Sequence, residues 1–121
     1  MNANPVRWVG SSLADLRSFP ESVQKEIGYA LYFAQIGDKH PMAKPLRGFA
    51  GASVLEVVDD YDGDTYRAVY TVRFQEAIYV LHVFQKKAKR GIATPPKELA
   101  LIEGRLALAE DWHRQEMQSN D

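Results

Sequence analysis

Three runs of alternating apolar residues follow one another between Val54 and Gln85, and the gaps between them leave room only for turns. The first is Val54-Leu55-Glu56-Val57-Val58, the second runs from Tyr66 to Phe74, and the third from Ala77 to Gln85. Asp62-Gly63 separates the first two and suits a tight hairpin, whose central residues need positive φ. A parallel connection would need a crossover of a dozen or more residues. The three runs are therefore expected to form an antiparallel meander, at roughly 53–59, 65–74 and 77–86.

Helical spacing governs the segments on either side. Val6 and Trp8 alternate with Arg7, a short first strand expected near 5–9 at an edge of the sheet. Ser12-Leu13-Ala14-Asp15 resembles a capping box with Asp in the Glu position, opening a helix through about Arg17. Pro20 suits the first position of a second helix, in which Val23, Ile27, Ala30, Leu31 and Ala34 share a face. Residues 38–52, with two prolines and two glycines, read as loop. Thr94 is an expected N-cap and Pro95 a first residue for a final helix over about 95–113. Leu99, Ile102, Leu106 and Ala109 line that helix, and Leu101, Leu108 and Trp112 are expected to widen the buried stripe. The order is β-α-α-β-β-β-α, an α+β fold.

A chain of 121 residues is the size of one domain, here read as 1–121 with an ordered core of about 5–115. With no cysteine, disulfides and thiolate chemistry are excluded. No apolar run reaches the ~20 residues of a membrane helix, and the N-terminus lacks a secretory signal, so a cytoplasmic protein with no membrane partner is expected. His40, His82 and His113 fall in different elements, away from metal-ligand spacing. The acidic run Asp59 to Asp64 lacks the twelfth-position glutamate of a calcium loop and sits on the hairpin turn. Neither a metal nor a cofactor is expected.

The net charge of −1 conceals a strong segregation. Residues 1–64 carry six basic and nine acidic side chains, residues 65–97 seven and one, and residues 98–121 two and six. A basic middle segment can attract a polyanion whatever the total. Cleaving RNA without a metal needs help for the attacking 2′-hydroxyl, cations for the charge on the phosphorane, and a proton for the leaving 5′-oxygen. Arginine and lysine suit the second task and histidine the first or third. Arg67, Arg73, His82, Lys86 and Lys87 are the right types. The alternatives are a structural ion pair of Arg67 with Glu56 or an acid of the last helix, and a satisfied core position for His82. Strand parity permits Arg67 to lie beside His82 or Lys86; the register that decides it is not written in the sequence.

Arg67-Ala-Val-Tyr-Thr-Val72, Ala77-Ile-Tyr-Val-Leu-His-Val-Phe-Gln-Lys-Lys87, Thr94-Pro-Pro-Lys-Glu98 and the upstream Lys44-Pro-Leu-Arg47-Gly48 together resemble the phage-derived Gp49-like proteins. These are HigB-like members of the RelE/ParE superfamily of toxins from type II toxin–antitoxin systems. The resemblance covers about residues 5–110. It implies a RelE-like small twisted antiparallel sheet, two N-terminal helices packed on one face, and a C-terminal helix. It implies a growth-inhibiting, ribosome-dependent and metal-independent mRNA endoribonuclease, a hydrolase acting on ribosome-bound message. Its partners would be the ribosome and mRNA, a cognate helix-turn-helix antitoxin, and operator DNA only through that antitoxin. Catalysis would fall to Arg67, His82 and Lys86, and RNA binding to Lys44, Arg47, Arg73, Lys87, Lys89 and Arg90. The antitoxin is expected to cover this basic face. The first meander strand departs from the family pattern, with Val58 in place of an arginine. A ParE-like or other protein-binding toxin without nuclease chemistry, and a phage-derived accessory or structural protein, are the alternative functions.

Overall fold

A computed structural model describes residues 3–49, 51, 53–86 and 94–119. In chain order the elements are β1 (Val6–Trp8), α1 (Ser12–Arg17), α2 (Glu21–Gln35), β2 (Lys44–Pro45), β3 (Val54–Tyr61), β4 (Asp64–Thr71), β5 (Ile78–Lys86) and α3 (Pro96–Ser119). The sheet order is β1-β5-β4-β3-β2. The expected meander is present, antiparallel from β3 to β5. β1 joins the edge of β5 in parallel, with Val6 opposite Ile78 and Trp8 opposite Val80. β2, unforeseen in a segment read as loop, adds two antiparallel residues to β3.

Asp62 and Gly63 both take positive φ, +52° and +85°, which gives the β3–β4 turn the twist its strands require. β4 ends earlier than its apolar pattern suggests. Thr71 Oγ1 accepts the Arg73 amide at 3.1 Å and turns the chain out of the sheet. Two helix starts also differ from expectation. Ser12 is no N-cap: it is buried, and its hydroxyl donates to the Val80 carbonyl at 3.3 Å, tying α1 to β5. Pro20 takes the N-cap position and Glu21 begins the helix.

Helices cover both faces of the sheet. On one, Leu16, Val23, Ile27, Ala30, Leu31 and Ala34 of α1 and α2 pack on Val57, Tyr66, Ala68, Tyr70, Ile78, Val80 and Val83. On the other, Ile102, Leu106 and Ala109 of α3 pack on Val54, Val69, Tyr79, Leu81 and Phe84. Leu101, Leu108 and Trp112 do not widen this buried stripe; they lie on the exposed flank of α3. The helix is narrowly apolar, and polar contacts supply the rest of its docking. Arg7 pairs with Glu116 at 3.0 Å, Arg73 with Glu110, and His113 Nε2 with Glu76 at 2.8 Å.

A bulge between Val69 and Tyr70 sets the phase of β5. Val69 pairs with His82 and Tyr70 with Val80, so Leu81 has no opposite residue. Strict alternation would separate Tyr79 from His82 and Phe84. The bulge instead brings Tyr79, Leu81, His82 and Phe84 to the α3 side.

Ile102 is fully buried at the centre of the α3 contact. Ile102→Ala should lower the unfolding free energy by about 2–5 kcal/mol in a denaturant titration. Tyr70 supplies a second expectation. It is 1% exposed, its hydroxyl has no hydrogen-bond partner among the described residues, and burial pushes its pKa up to about 12. An unfolded tyrosine ionises near pH 10 while the folded one keeps its proton. The native state therefore holds more protons between pH 10 and 12, and stability falls as pH rises through that window. The slope from this one group is at most about 1.4 kcal/mol per pH unit. Tyr70→Phe should flatten the alkaline limb of stability against pH while costing nothing at neutral pH.

Candidate functional site

Register brings the basic residues of β4 and β5 together. Three rows cross the sheet on its α3 face. Lys44, Glu56, Val69 and His82 form one, Val58, Arg67 and Phe84 the next, and Asp60, Thr65 and Lys86 the third. Arg67 thus stands opposite Phe84 and between His82 and Lys86 on the neighbouring strand. Val58 lies directly across from Arg67, beside the same site.

The sheet edge alone would leave Arg67 in water, but the segment entering α3 crosses above it. Arg67 is 5% exposed. Its Nη1 donates to Glu56 Oε2 at 3.1 Å and to Thr94 Oγ1 at 3.3 Å, and Thr94 Oγ1 donates to the same carboxylate oxygen at 2.9 Å. The ion pair with Glu56 weighed from sequence is therefore present, and a phosphate reaching Arg67 would exchange partners with that carboxylate. Thr94, expected as a helix cap, serves this network, while the Pro95 carbonyl accepts the Leu99 amide at 3.0 Å and begins the helix.

His82 is held from three sides. Its ring stacks on Phe84, centroids 4.6 Å apart and planes 16° from parallel. Its Nε2 meets Glu98 Oε1 at 2.6 Å, and its Nδ1 lies 3.4 Å from Arg105 Nη1. Arg105 also donates to the Leu81 carbonyl at 3.0 Å, the bulge residue, and to Ser11 Oγ at 3.3 Å. Gly10 makes this possible: at φ +59°, a Cβ there would sit 2.7 Å from Arg105 Cζ.

The other expected residues spread outward. Lys86 is half-buried at the end of β5, and Lys44 and Arg47 are exposed around β2. Arg73 lies beyond the end of β4, paired with Glu110, and away from the Arg67 cluster. Lys87, Lys89 and Arg90 lie outside the described residues. Glu56, Thr94, Glu98 and Arg105 are the polar members not assigned to the site from sequence. Glu98 carries a signal there, in the Thr-Pro-Pro-Lys-Glu motif; Arg105 carries none. Within the chain, Thr94 meets Arg67 and Glu98 and Arg105 of α3 meet His82, while Lys44 and Arg47 stay exposed. Among the described residues no three His, Asp or Glu side chains converge as a metal site, and no helix is long and apolar enough to cross a membrane.

Comparison with known proteins agrees with this architecture. The family described as phage-derived protein Gp49-like matches residues 14–107. The chain superposes on a double arginine-to-alanine mutant of E. coli toxin RelE in the free state with a TM-score of 0.54 and 16% identity, over 88% of this chain and 97% of that one. It superposes on the isolated E. coli RelE toxin with a TM-score of 0.54 and 22% identity, over 74% of this chain and 88% of that one. None of the curated proteins matches it. The fold is that of the RelE toxins.

Glu56 is the acid that neutralises the buried guanidinium. Glu56→Ala removes a carboxylate partner from a buried guanidinium and should destabilise the protein by about 3 kcal/mol, as measured by chemical denaturation.

Proposed function

The chain belongs to the phage-derived protein Gp49-like family, and we propose that it is the toxin of a type II toxin–antitoxin pair that cuts messenger RNA on the ribosome. The observation that carries this reading is the register that sets Arg67 between His82 and Lys86 on one sheet face. An imidazole with two cations along the same face supplies the group types that metal-free RNA cleavage needs, a proton carrier and positive charge for the phosphorane.

The reaction is a transesterification. The 2′-oxygen loses its proton and bonds to phosphorus, the bond from phosphorus to the 5′-oxygen breaks, and that oxygen takes up a proton. The products are a 2′,3′-cyclic phosphate and a 5′-hydroxyl. Negative charge concentrates on the phosphorane, so cations held at a set distance stabilise it more than the ground state. Arg67 and Lys86 supply that charge, and His82 moves a proton. Lys44, in the row of His82, and Arg47, exposed two residues beyond β2, hold flanking phosphates, with Lys87, Lys89 and Arg90 following Lys86 in sequence. Arg73 serves RNA further along the surface. The work is cytoplasmic, on translating ribosomes, and a helix-turn-helix antitoxin restrains it and carries the pair to operator DNA.

The burial of Arg67 in an ion pair favours a second reading, in which the same fold binds a protein target, as a ParE-like toxin would, and cuts nothing. Primer extension on a reporter message separates the two. The nuclease reading expects cuts at codon boundaries that vanish when translation is blocked; intact message would leave the protein-binding reading. On saturating ribosomes, Lys86→Ala should lower single-turnover cleavage by about 10²–10³, as for loss of one preorganised donor. Arg67→Ala should lose at least as much and also unfold more easily. An Arg67→Ala protein that keeps its fold and cleaves at the wild-type rate would show that the arginine is only scaffold.

A further inference from the structure

We infer that Glu98 is a positioning residue that commits His82 to one tautomer, making Nδ1 the nitrogen that takes the 2′-hydroxyl proton. Arg105 caps that nitrogen until RNA arrives. The inference rests on the nuclease reading and assigns within it the general base that the register alone leaves open.

The argument is one of donors and acceptors. A guanidinium has five N–H donors and no acceptor. Arg105 Nη1, 3.4 Å from His82 Nδ1, can therefore only meet a lone pair there, which puts the neutral ring's proton on Nε2. Nε2 lies 2.6 Å from Glu98 Oε1, a carboxylate positioned to accept that proton's hydrogen bond. Glu98 and Arg105 are seven residues apart, two turns of one helix, and grip the two nitrogens of the same ring. Phe84 stacked on the ring face removes rotation out of this line. The carboxylate–imidazole pair has the logic of a nucleophile-activating triad: the acid holds the ring and stabilises the imidazolium that forms, and the opposite nitrogen works.

At 3.4 Å the contact with Nδ1 is longer than the 3.0 Å hydrogen bond of the same guanidinium nitrogen to the Leu81 carbonyl. A phosphate offers the guanidinium a bidentate anionic partner that a neutral ring nitrogen cannot match. Its departure toward RNA frees the Nδ1 lone pair. Nδ1 then accepts the 2′-hydroxyl proton as the 2′-oxygen bonds to phosphorus, the 5′-oxygen leaves with a proton from the Lys86 ammonium, and His82 stands as an imidazolium against Glu98. One proton has moved to His82 and one has left Lys86, so the site returns to its starting state by proton exchange with water.

Two measurements on the full chain test this. Nitrogen-resolved NMR of the histidine rings, with His82→Gln identifying its signal, should find the resting wild-type proton on Nε2. A proton on Nδ1 would overturn the inference outright. Glu98→Ala should lower single-turnover cleavage on saturating ribosomes by about 10–100-fold, as for loss of an orienting partner, while ribosome affinity stays unchanged. Glu98→Gln keeps an acceptor oxygen for Nε2 and should recover part of that loss, which a merely structural role would not require. Thermal unfolding of each variant sets aside loss of fold. If the wild type cleaves and a folded Glu98→Ala cleaves equally fast, the pairing has no catalytic role and the nuclease reading stands. If the wild type leaves ribosome-bound message intact, the nuclease reading falls and this assignment falls with it.

Discussion

A guanidinium taken out of water between two layers of a protein must be paired, because an uncompensated buried charge costs several kcal/mol. Arg67 is in that position, in the middle of β4 and under the segment that enters α3. Glu56 from β3 and Thr94 from the α3 approach meet it, so three stretches distant in sequence converge on one cation. The same demand governs His82 one row away, where Glu98 and Arg105 of α3 satisfy both ring nitrogens. The polar end of the sheet is therefore an ordered network, and it determines where the first half of α3 can lie.

Charge segregation along the chain is the larger expression of this. Acids of the C-terminal segment meet basic groups elsewhere in the chain: Glu98 meets His82 on β5, Glu110 meets Arg73 just past β4 and Glu116 meets Arg7 on β1. Two of these pairs are half exposed, and each such contact is worth little by itself. Their number matters because the apolar stripe of α3 is narrow, with Ile102, Leu106 and Ala109 buried and Leu101, Leu108 and Trp112 facing outward. Electrostatic complementarity orients the helix, and a small apolar contact supplies most of its burial energy.

Much of this was legible in the residues. Period two over 54–85, the Asp62-Gly63 turn and the helical spacing of Val23, Ile27, Ala30, Leu31 and Ala34 belong to local geometry, and these elements formed close to where their patterns indicate, with β4 three residues short. The Gp49-like resemblance rested on motif residues inside the matched 14–107. The errors are also local in kind. The spacing of Ser12 to Asp15 fits a cap, but the hydroxyl donates to a β5 carbonyl sixty-eight residues away. Two residues of β2 in a proline-rich loop are too few to give a periodic signal. Leu101, Leu108 and Trp112 fit a wider stripe on a helical wheel, and only the shape of the facing sheet shows which part of the wheel it covers.

The sequence by itself determined the elements, the hairpin, the residue types available for chemistry and the sign of the charge on each segment. These depend on neighbours within a few positions, whose relative geometry is set by backbone dihedrals. Tertiary structure decided the register that sets Arg67 between His82 and Lys86, and the bulge that turned Tyr79 and His82 to one face. It also decided that Thr94, just ahead of α3, meets Arg67 and that Glu98 of α3 meets His82. One inserted residue in a strand reverses every side chain beyond it, so alternation predicts a face only as far as the first bulge. Which carboxylate neutralises a buried arginine depends on packing between layers, and no spacing along the chain encodes it.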